Sequence, residues 1–157
     1  MREVDFETVN NLLKCGSDGI LIWKSNGKIA GSVDRTGYIR ICIRYKKYSA
    51  ADVVWLLTYG VWPSTPLDHK DTIRKNNAPE NLREASIVQQ LGNRKTAKHN
   101  KLGVKGVSKA NARIGYCARI VIDRKYVHLG TFSTVAEAHN AYLRAAKRHF
   151  GEFARGE

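Results

Sequence analysis

A short polar stretch in the middle of the chain carries the residues best suited to chemistry. Asp68 and His69 are adjacent, and Asn81 follows twelve residues after the histidine in the run NNAPENLR. Hydrolysis of a phosphodiester needs a hard cation to neutralise charge on the leaving oxygen and a base to deprotonate water. A carboxylate beside an imidazole can supply both, because carboxylates bind hard cations and histidine changes charge near physiological pH. The pair therefore indicates a nuclease site, with Asn81 holding the hairpin that carries it.

Four segments around this pair resemble the HNH endonucleases, and specifically the compact homing type of phages and introns. The resemblance implies a ββα-metal fold in which His69 is the general base, Asp68 binds a divalent metal ion and Asn81 is structural. It also implies one more metal ligand on the following helix. The segments that carry the resemblance are VVWLLTYGVWP, DHKD, NNAPENLR and SIVQQLGNR.

The helix ligand is the position that departs from the family pattern. Gln90 stands at the expected spacing, and Asn93 lies three residues further, nearly one turn away on the same side. Either amide oxygen could bind a hard cation, and the shorter Asn93 costs less entropy to fix. A second departure is Ala51-Asp52, where relatives often carry His-Arg. These departures leave an alternative open: a catalytically decayed HNH scaffold that acts as a sequence-specific DNA-binding protein.

The implied cofactor is Mg²⁺, with Mn²⁺ as an alternative, held by Asp68 and by Asn93 or Gln90, with water in the remaining positions. One such site cuts one strand. Nicking of duplex DNA is therefore expected of a monomer, and double-strand cleavage would need a homodimer or two successive events.

Composition restricts the class of partner. The chain has 157 residues and a formal charge of +13, which favours a polyanion because Lys and Arg release counterions condensed on nucleic acid. No apolar run is long enough to span a bilayer, and the N-terminal MREVDFETVNN does not resemble a secretory signal. Three scattered cysteines without CxxC spacing suit a reducing compartment and not structural zinc. We therefore expect a cytoplasmic protein, in the host cell if phage-encoded, with no membrane or small-molecule partner.

The charge is concentrated toward the C-terminus. Residues 1–93 hold 13 Lys and Arg against 10 Asp and Glu, whereas residues 94–157 hold 14 against 4. The change begins at the polar run RKTAKHNKLG, which is typical of a linker. The sequence thus predicts an HNH domain over residues 1–95, a basic linker over 96–103 and a DNA-binding domain over 104–157.

In the first predicted domain, residues 19–23 and 37–45 have the β-branched and aromatic content of strands. Alternation along the second strand places Ile39, Ile41 and Ile43 toward a core and Arg40 with Arg44 on the other face. A helix is predicted over residues 50–59, from an N-cap at Ser49 to Gly60. Residues 6–14 are predicted to form a further helix, Trp55 and Trp62 to join the core, and Pro63 and Pro66 to deliver Asp68 and His69 on a hairpin.

In the second predicted domain, KGVSK, IGYCARIVI and KYVHLGTF read as three strands, followed by a helix over residues 135–148. Alternation turns one face of the sheet toward that helix and leaves the other free to meet a partner. The residues expected to meet in the interior are Ala118, Ile120, Val127 and Leu129 from the sheet, and Ala138, Ala141, Tyr142 and Ala145 from the helix.

GVKGVSK, YCARIVI, LGTF, AEAHNAY and FGEFA resemble the ethylene-response-factor (APETALA-type) DNA-binding domain, which also occurs attached to phage HNH nucleases. The resemblance covers residues 102–154 and implies that the sheet lies in the major groove of duplex DNA. An RNA partner fits less well, because the major groove of A-form RNA is deep and narrow. Expected DNA-contacting residues are Lys105, Ser108, Lys109, Arg113, Arg119, Val121, Arg124, Lys125, Tyr126 and His128, and Lys95, Lys98, Lys101 and Lys105 are expected to follow phosphates.

The complete prediction is an α+β chain. Its first domain is a ββα-metal nuclease, and its second is a three-stranded antiparallel sheet packed on one helix.

Overall fold

A computed structural model describes residues 4–93, 96, 100–110 and 115–155, with the side chain of residue 91 left out. The chain forms two compact units, Met1–Ala85 and Ser86–Glu157. No helix in the described part is long and apolar enough to cross a membrane.

The first unit combines two helices with three small antiparallel sheets, β1-β2, β3-β4-β5 and β6-β7. Its elements in order are α1 (Phe6–Leu12), β1 (Leu13–Cys15), β2 (Leu21–Trp23), β3 (Ser32–Val33), β4 (Ile39–Ile43), β5 (Lys46–Ser49), α2 (Ala50–Tyr59), β6 (Leu67–His69), a 3₁₀ turn (Pro79–Asn81) and β7 (Leu82–Glu84).

Helix α2 is the centre of the first core. Val53 and Val54 are completely buried, and Leu56 lies beside them in the same cluster. Each side chain of this size contributes about 1.5–3 kcal/mol when fully buried. Gly60 ends the helix in the left-handed conformation, with its N–H donating to the carbonyl of Leu56. The predicted helix over residues 50–59 is confirmed at both ends.

The strand predicted over residues 37–45 is longer than the observed β4, but its buried and exposed sides were predicted correctly. Ile41 and Ile43 are buried, and Arg40 is exposed. The expectation that Arg44 shares a strand face with Arg40 is wrong, because Arg44 lies in the turn that leads into β5. The chain reverses there without a glycine or asparagine, so the sequence shows no ordinary turn pattern.

The N-terminal helix is shorter than predicted. It ends at Leu12 because the next three residues pair with β2, with Leu13 opposite Trp23. The two predicted core tryptophans are partly buried and pack against the core cluster. The indole of Trp62 also donates to the carbonyl of Val4 over 3.1 Å, which ties the N-terminal segment to the chain after α2.

The second unit is an antiparallel sheet of order β10-β9-β8 with two helices. Its elements are α3 (Ile87–Asn93), β8 (Val107–Lys109), β9 (Tyr116–Ile122), β10 (Lys125–Phe132), α4 (Val135–Phe150) and a 3₁₀ turn (Gly151–Phe153). Helix α4 begins in a capping box, in which the hydroxyl of Thr134 accepts from the N–H of Glu137 and the Glu137 carboxylate accepts from the N–H of Thr134.

Helix α4 packs on all three strands of the sheet, chiefly on β9 and β10, through a row that alternates alanine with large aromatic residues. Ala138, Tyr142, Ala146 and Phe150 are buried at four-residue spacing, and Ala118 and Ile120 face inward from β9. Ala145 is only partly buried because Ala146 occupies the row in line with Tyr142. The prediction that Val127 is interior is wrong, because 38% of this residue is exposed. Val127 lies near the start of β10, where Lys125 pairs with Ile122 at the hairpin end.

Helix α3 packs within the second unit. Its Gly92 lies so close to Phe150 that an added Cβ would stand 2.7 Å from the ring carbon Cγ. The Gly92 carbonyl accepts from the Lys105 ammonium over 2.7 Å. The boundary between the two compact units lies between Ala85 and Ser86. The boundary predicted from the sequence lies later in the chain, at the basic run that follows α3.

Two glycines of the second unit provide a matched test of packing. Gly106 and Gly103 both have left-handed backbones, with φ of 75° and 69°. A Cβ on Gly106 would lie 2.0 Å from the ring of Tyr142, whereas no described atom lies within 4 Å of the corresponding position at Gly103. We expect both alanine variants to lose about 1 kcal/mol from the left-handed backbone. Gly106→Ala should lose about 1–3 kcal/mol more through overpacking. Urea unfolding followed by circular dichroism measures the difference, and equal losses would contradict this packing.

Candidate active site

The predicted hairpin that carries Asp68 and His69 is present. Strands β6 and β7 pair antiparallel, with Asp68 opposite Arg83 and His69 opposite Leu82. The Glu84 carboxylate fastens the end of β7 to the segment that enters β6: it accepts from the backbone N–H of Ser64, and from the Ser64 hydroxyl and the Thr65 N–H at 2.8 and 3.1 Å. These bonds, chiefly that from the Ser64 side chain, lower the pKa of Glu84.

Asn81 closes the loop between the two strands. Its side-chain oxygen accepts from the N–H of Asp71 over 3.1 Å. Its amide nitrogen donates to the Asp71 carboxylate over 3.0 Å and to the carbonyl of Asn76 over 2.8 Å. Its own carbonyl accepts from the N–H of Lys70. One buried side chain thus fixes both ends of the loop.

Asp71 is the second node of the same network. Beyond its bond to Asn81, the carboxylate accepts from the N–H of Ile73 over 2.7 Å and from the amide of Asn76 over 2.7 Å. Burial alone raises the pKa of Asp71, but the hydrogen bonds, led by that from Asn76, together with the nearby His69, hold this pKa below its ordinary value. The Asp71 carboxylate is therefore ionised, and its hydrogen bonds hold the loop in place.

His69 is buried and oriented by an amide. Only 6% of His69 and 3% of Asn77 are exposed, and the His69 Nε2 atom lies 3.0 Å from the Asn77 Oδ1 atom. An amide oxygen only accepts, so this bond requires the proton on Nε2 and leaves the lone pair of the ring on Nδ1. The Tyr38 ring packs against the imidazole with centroids 5.9 Å apart.

Asn77 was not predicted from the sequence. The doublet Asn76-Asn77 after Lys75 was the one indication. The two amides serve different partners, because Asn76 binds Asp71 and Asn77 binds His69.

The Asp68 carboxylate is paired with a guanidinium. Its Oδ2 atom accepts from Nε of Arg83 over 3.1 Å, and both side chains are largely buried. A carboxylate has about four lone-pair positions and is chemically suited to bind a hard cation. Within the described ranges, no three side chains of His, Cys, Asp or Glu cluster as a metal site.

The two predicted helix ligands lie on α3 of the second unit. Asn93 is buried and Gln90 is partly buried. Their role as ligands stays a prediction.

The second unit presents the sheet face that the alternation predicted. Antiparallel partners share a face, and His128 stands opposite Arg119, as Tyr126 does opposite Val121. All four are exposed. The Arg119 guanidinium donates to the hydroxyl of Ser108 over 2.7 Å, so it is oriented across the sheet. We call this surface the open face; it consists of Ser108, Cys117, Arg119, Val121, Tyr126 and His128.

The other predicted DNA-contacting residues are distributed around this face. Lys109, Arg124 and Lys125 are exposed, as is Lys101. Lys105 is partly buried, and its ammonium is bound to the Gly92 carbonyl, so it is less available to a phosphate than expected. Lys95, Lys98 and Arg113, which were also predicted to contact DNA, lie outside the described residues.

Acid should weaken the loop through Asp71. A carboxyl whose folded pKa is depressed stabilises the fold above its unfolded pKa, and this contribution is lost as the pH falls through the folded value. We therefore expect the stability difference between the wild type and Asp71→Asn to be largest near neutral pH and to shrink below about pH 4. Urea unfolding of both proteins across this range is the measurement. A difference that is constant with pH would show that Asp71 does not act as an ionised group.

Residues 50–90 match the family model described as HNH endonuclease, a segment that spans α2, the β6-β7 hairpin and the start of α3. No curated protein matches the chain. A solved structure on DNA binding and cleavage by the HNH homing endonuclease I-HmuI is similar at 22% identity and a TM-score of 0.46. The similarity covers 58% of this chain and 56% of that one, so the chain spans little more than half of its length. The family match identifies residues 50–90 as a segment similar to the HNH endonucleases.

Proposed function

We propose that the chain is a metal-dependent homing-type endonuclease that nicks duplex DNA, with the β6-β7 hairpin as the hydrolytic site. The observation that carries the proposal is the bond from His69 Nε2 to Asn77 Oδ1 in a loop locked by Asn81. This arrangement defines which ring nitrogen can act as a base, and the HNH match gives the reaction class.

His69 is the general base. With the proton fixed on Nε2, Nδ1 accepts a proton from water, and the hydroxide formed attacks phosphorus as the bond to the leaving sugar oxygen breaks. Asn77 stabilises the imidazolium that results, because its oxygen continues to accept from Nε2. Asn81 and Asp71 act through the loop: they keep the imidazole from rotating away from the bound strand.

Asp68 is the carboxylate that would hold a divalent cation, with Mg²⁺ the first candidate and Mn²⁺ the second. The donor chemistry fits, because Mg²⁺ is commonly bound through one or two carboxylates, waters and the substrate phosphate. Such an ion neutralises negative charge that develops on the phosphate and the leaving oxygen. Arg83 positions the Asp68 carboxylate. Asn93 or Gln90 remains the proposed further ligand.

The open face of the second unit is the proposed binding surface for duplex DNA. A three-stranded sheet docked in the major groove would place Arg119 against base edges or a phosphate. Its bond to Ser108 orders the guanidinium before binding, which lowers the entropy lost on contact. One bidentate base contact gives about 1–3 kcal/mol of discrimination. The 14 cations of residues 94–157 supply the electrostatic attraction.

A monomer with one such site cuts one strand, so we propose nicking as its action and double-strand cleavage only through a homodimer or two successive cuts. We place the activity in the cytoplasm.

Removing the orienting amide should separate catalysis from binding. Asn77→Ala leaves His69 in place but removes the acceptor that fixes its tautomer, so we expect kcat for nicking to fall about 10–100-fold with DNA affinity unchanged. Asn26→Ala, which removes an exposed turn amide from the same unit, is the matched control and should retain full activity. Single-turnover nicking and a binding assay with chelator provide the two numbers. A change in affinity alone would remove Asn77 from the mechanism.

The division of labour between the units has its own test. Supercoiled plasmid is incubated with Mg²⁺ or Mn²⁺, and with chelator, using the wild type, His69→Ala and Arg119→Ala. We expect His69→Ala to abolish conversion to open circles while binding DNA nearly as well as the wild type, because it lacks only the base. Arg119→Ala should weaken binding by about 1–3 kcal/mol.

Equal loss of binding in both variants would contradict this division. Intact DNA with the wild type, accompanied by tight salt-dependent binding, would instead favour a decayed nuclease that acts as a DNA-binding protein.

A further inference from the structure

The turn between β4 and β5 breaks the rule for two-residue hairpins. Arg44 and Tyr45 connect Ile43 to Lys46, and their φ angles are 47° and 64°. Tight hairpin turns with two left-handed residues favour Asn-Gly, because a Cβ in this conformation costs about 1–2 kcal/mol per residue. Positions that violate a local rule without a structural gain are most often functional.

The side chains at this turn point into solvent. Tyr45 is 102% exposed, the highest value among the exposed large hydrophobic side chains of the described residues. Its neighbours in the sequence, Arg44, Lys46 and Lys47, are also exposed. A bare aromatic ring among cations has the composition of a nucleic-acid contact, in which the ring packs on sugars or bases and the cations meet phosphates.

The net positive charge of the first unit comes from the region around this hairpin. Residues 34–47 contain five Lys and Arg and one Asp, whereas the rest of residues 1–93 contains eight cations against nine anions. The one acid, Asp34, is bonded to Arg40 over 2.9 Å. Without this hairpin region, the first unit would have no net positive charge to attract DNA.

The hairpin is connected to the hydrolytic site by β4. At the start of that strand, Tyr38 packs against His69, and at its end lies the Arg44-Tyr45 turn. Arg44 lies six residues after Tyr38 along the extended chain, which corresponds to about 20 Å at about 3.3 Å per residue. Duplex DNA rises about 3.4 Å per base pair, so the turn can reach DNA within about six base pairs of the cut.

We propose that the β4-β5 hairpin is a DNA-contacting element of the nuclease unit, with its Arg44-Tyr45 tip in a groove of duplex DNA and Lys46 and Lys47 on the flanking phosphates. The inference rests on the proposed function, because it assigns a second contact for the same substrate. This hairpin would give the first unit a DNA contact that is separate from the open face of the second unit. A two-stranded ribbon is of a size that the major groove admits.

The alternative role for Arg44 is structural. Asp5 caps α1, and its pKa is lowered first by hydrogen bonds from Thr8 and least by the charge of Arg44. If Arg44 served mainly to pair with Asp5, replacing it would destabilise the fold.

The double variant Arg44→Asn with Tyr45→Gly separates the two roles, because it installs the residues that the turn prefers. We expect its thermal midpoint to equal or exceed that of the wild type. Its affinity for a labelled duplex fragment in chelator should be about tenfold weaker, with the slope of log K against log salt reduced by about one. Protection from hydroxyl radicals should be lost within about six base pairs of the nick. The charge-matched control Lys24→Ala, which removes one exposed cation outside residues 34–47, should bind like the wild type.

Each outcome decides one question. Unchanged affinity and nicking in the turn variant would overturn the inference and leave the proposed nuclease intact. A lower thermal midpoint would assign Arg44 and Tyr45 to the fold and also overturn it. Equal weakening in the control would show that general charge is responsible. Failure of the wild type to nick would overturn the proposed function, while the binding comparison would still decide whether the hairpin contacts DNA.

Discussion

The proposed hydrolytic site depends on burying polar side chains whose hydrogen bonds are made within one loop. His69, Asn77 and Asn81 are all buried, and burying such groups without partners would cost several kcal/mol. The loop supplies the partners itself, since Asn77 binds His69 while Asn81 and Asp71 bind each other and Asn76. In a site of low dielectric these bonds are stronger than in water, so the imidazole is held in one tautomer by the loop itself.

The remainder of the first unit supports this loop. The apolar side of α2 forms the core, Gly60 ends the helix, and Glu84 ties the end of β7 to Ser64 and Thr65. In the second unit, alanines let α4 lie close to one face of the sheet, which leaves the open face in solvent. Both units therefore gain their stability from one packed side.

Local sequence patterns predicted much of the fold of the first unit. The helix over residues 50–59 has its stop residue and apolar side in the sequence, and the Asp-His to Asn spacing indicates the hairpin. Asn77 could not be assigned, because its partner depends on the path of the loop. The Arg44-Tyr45 turn lacks the residues that announce a turn. The packing of α3 on the second unit depends on contacts between Gly92 and Phe150, which are distant in sequence.

Mn²⁺ titration followed by NMR can show whether Asp68 and His69 form the proposed cation-dependent site. The protein is bound to duplex DNA in the His69→Ala background, which keeps the DNA intact, and compared with the same protein carrying Asp68→Asn. Paramagnetic broadening should centre on the backbone amides of residues 67–70 and largely disappear with Asp68→Asn. Broadening centred elsewhere, or unaffected by the loss of the carboxylate, would contradict the account.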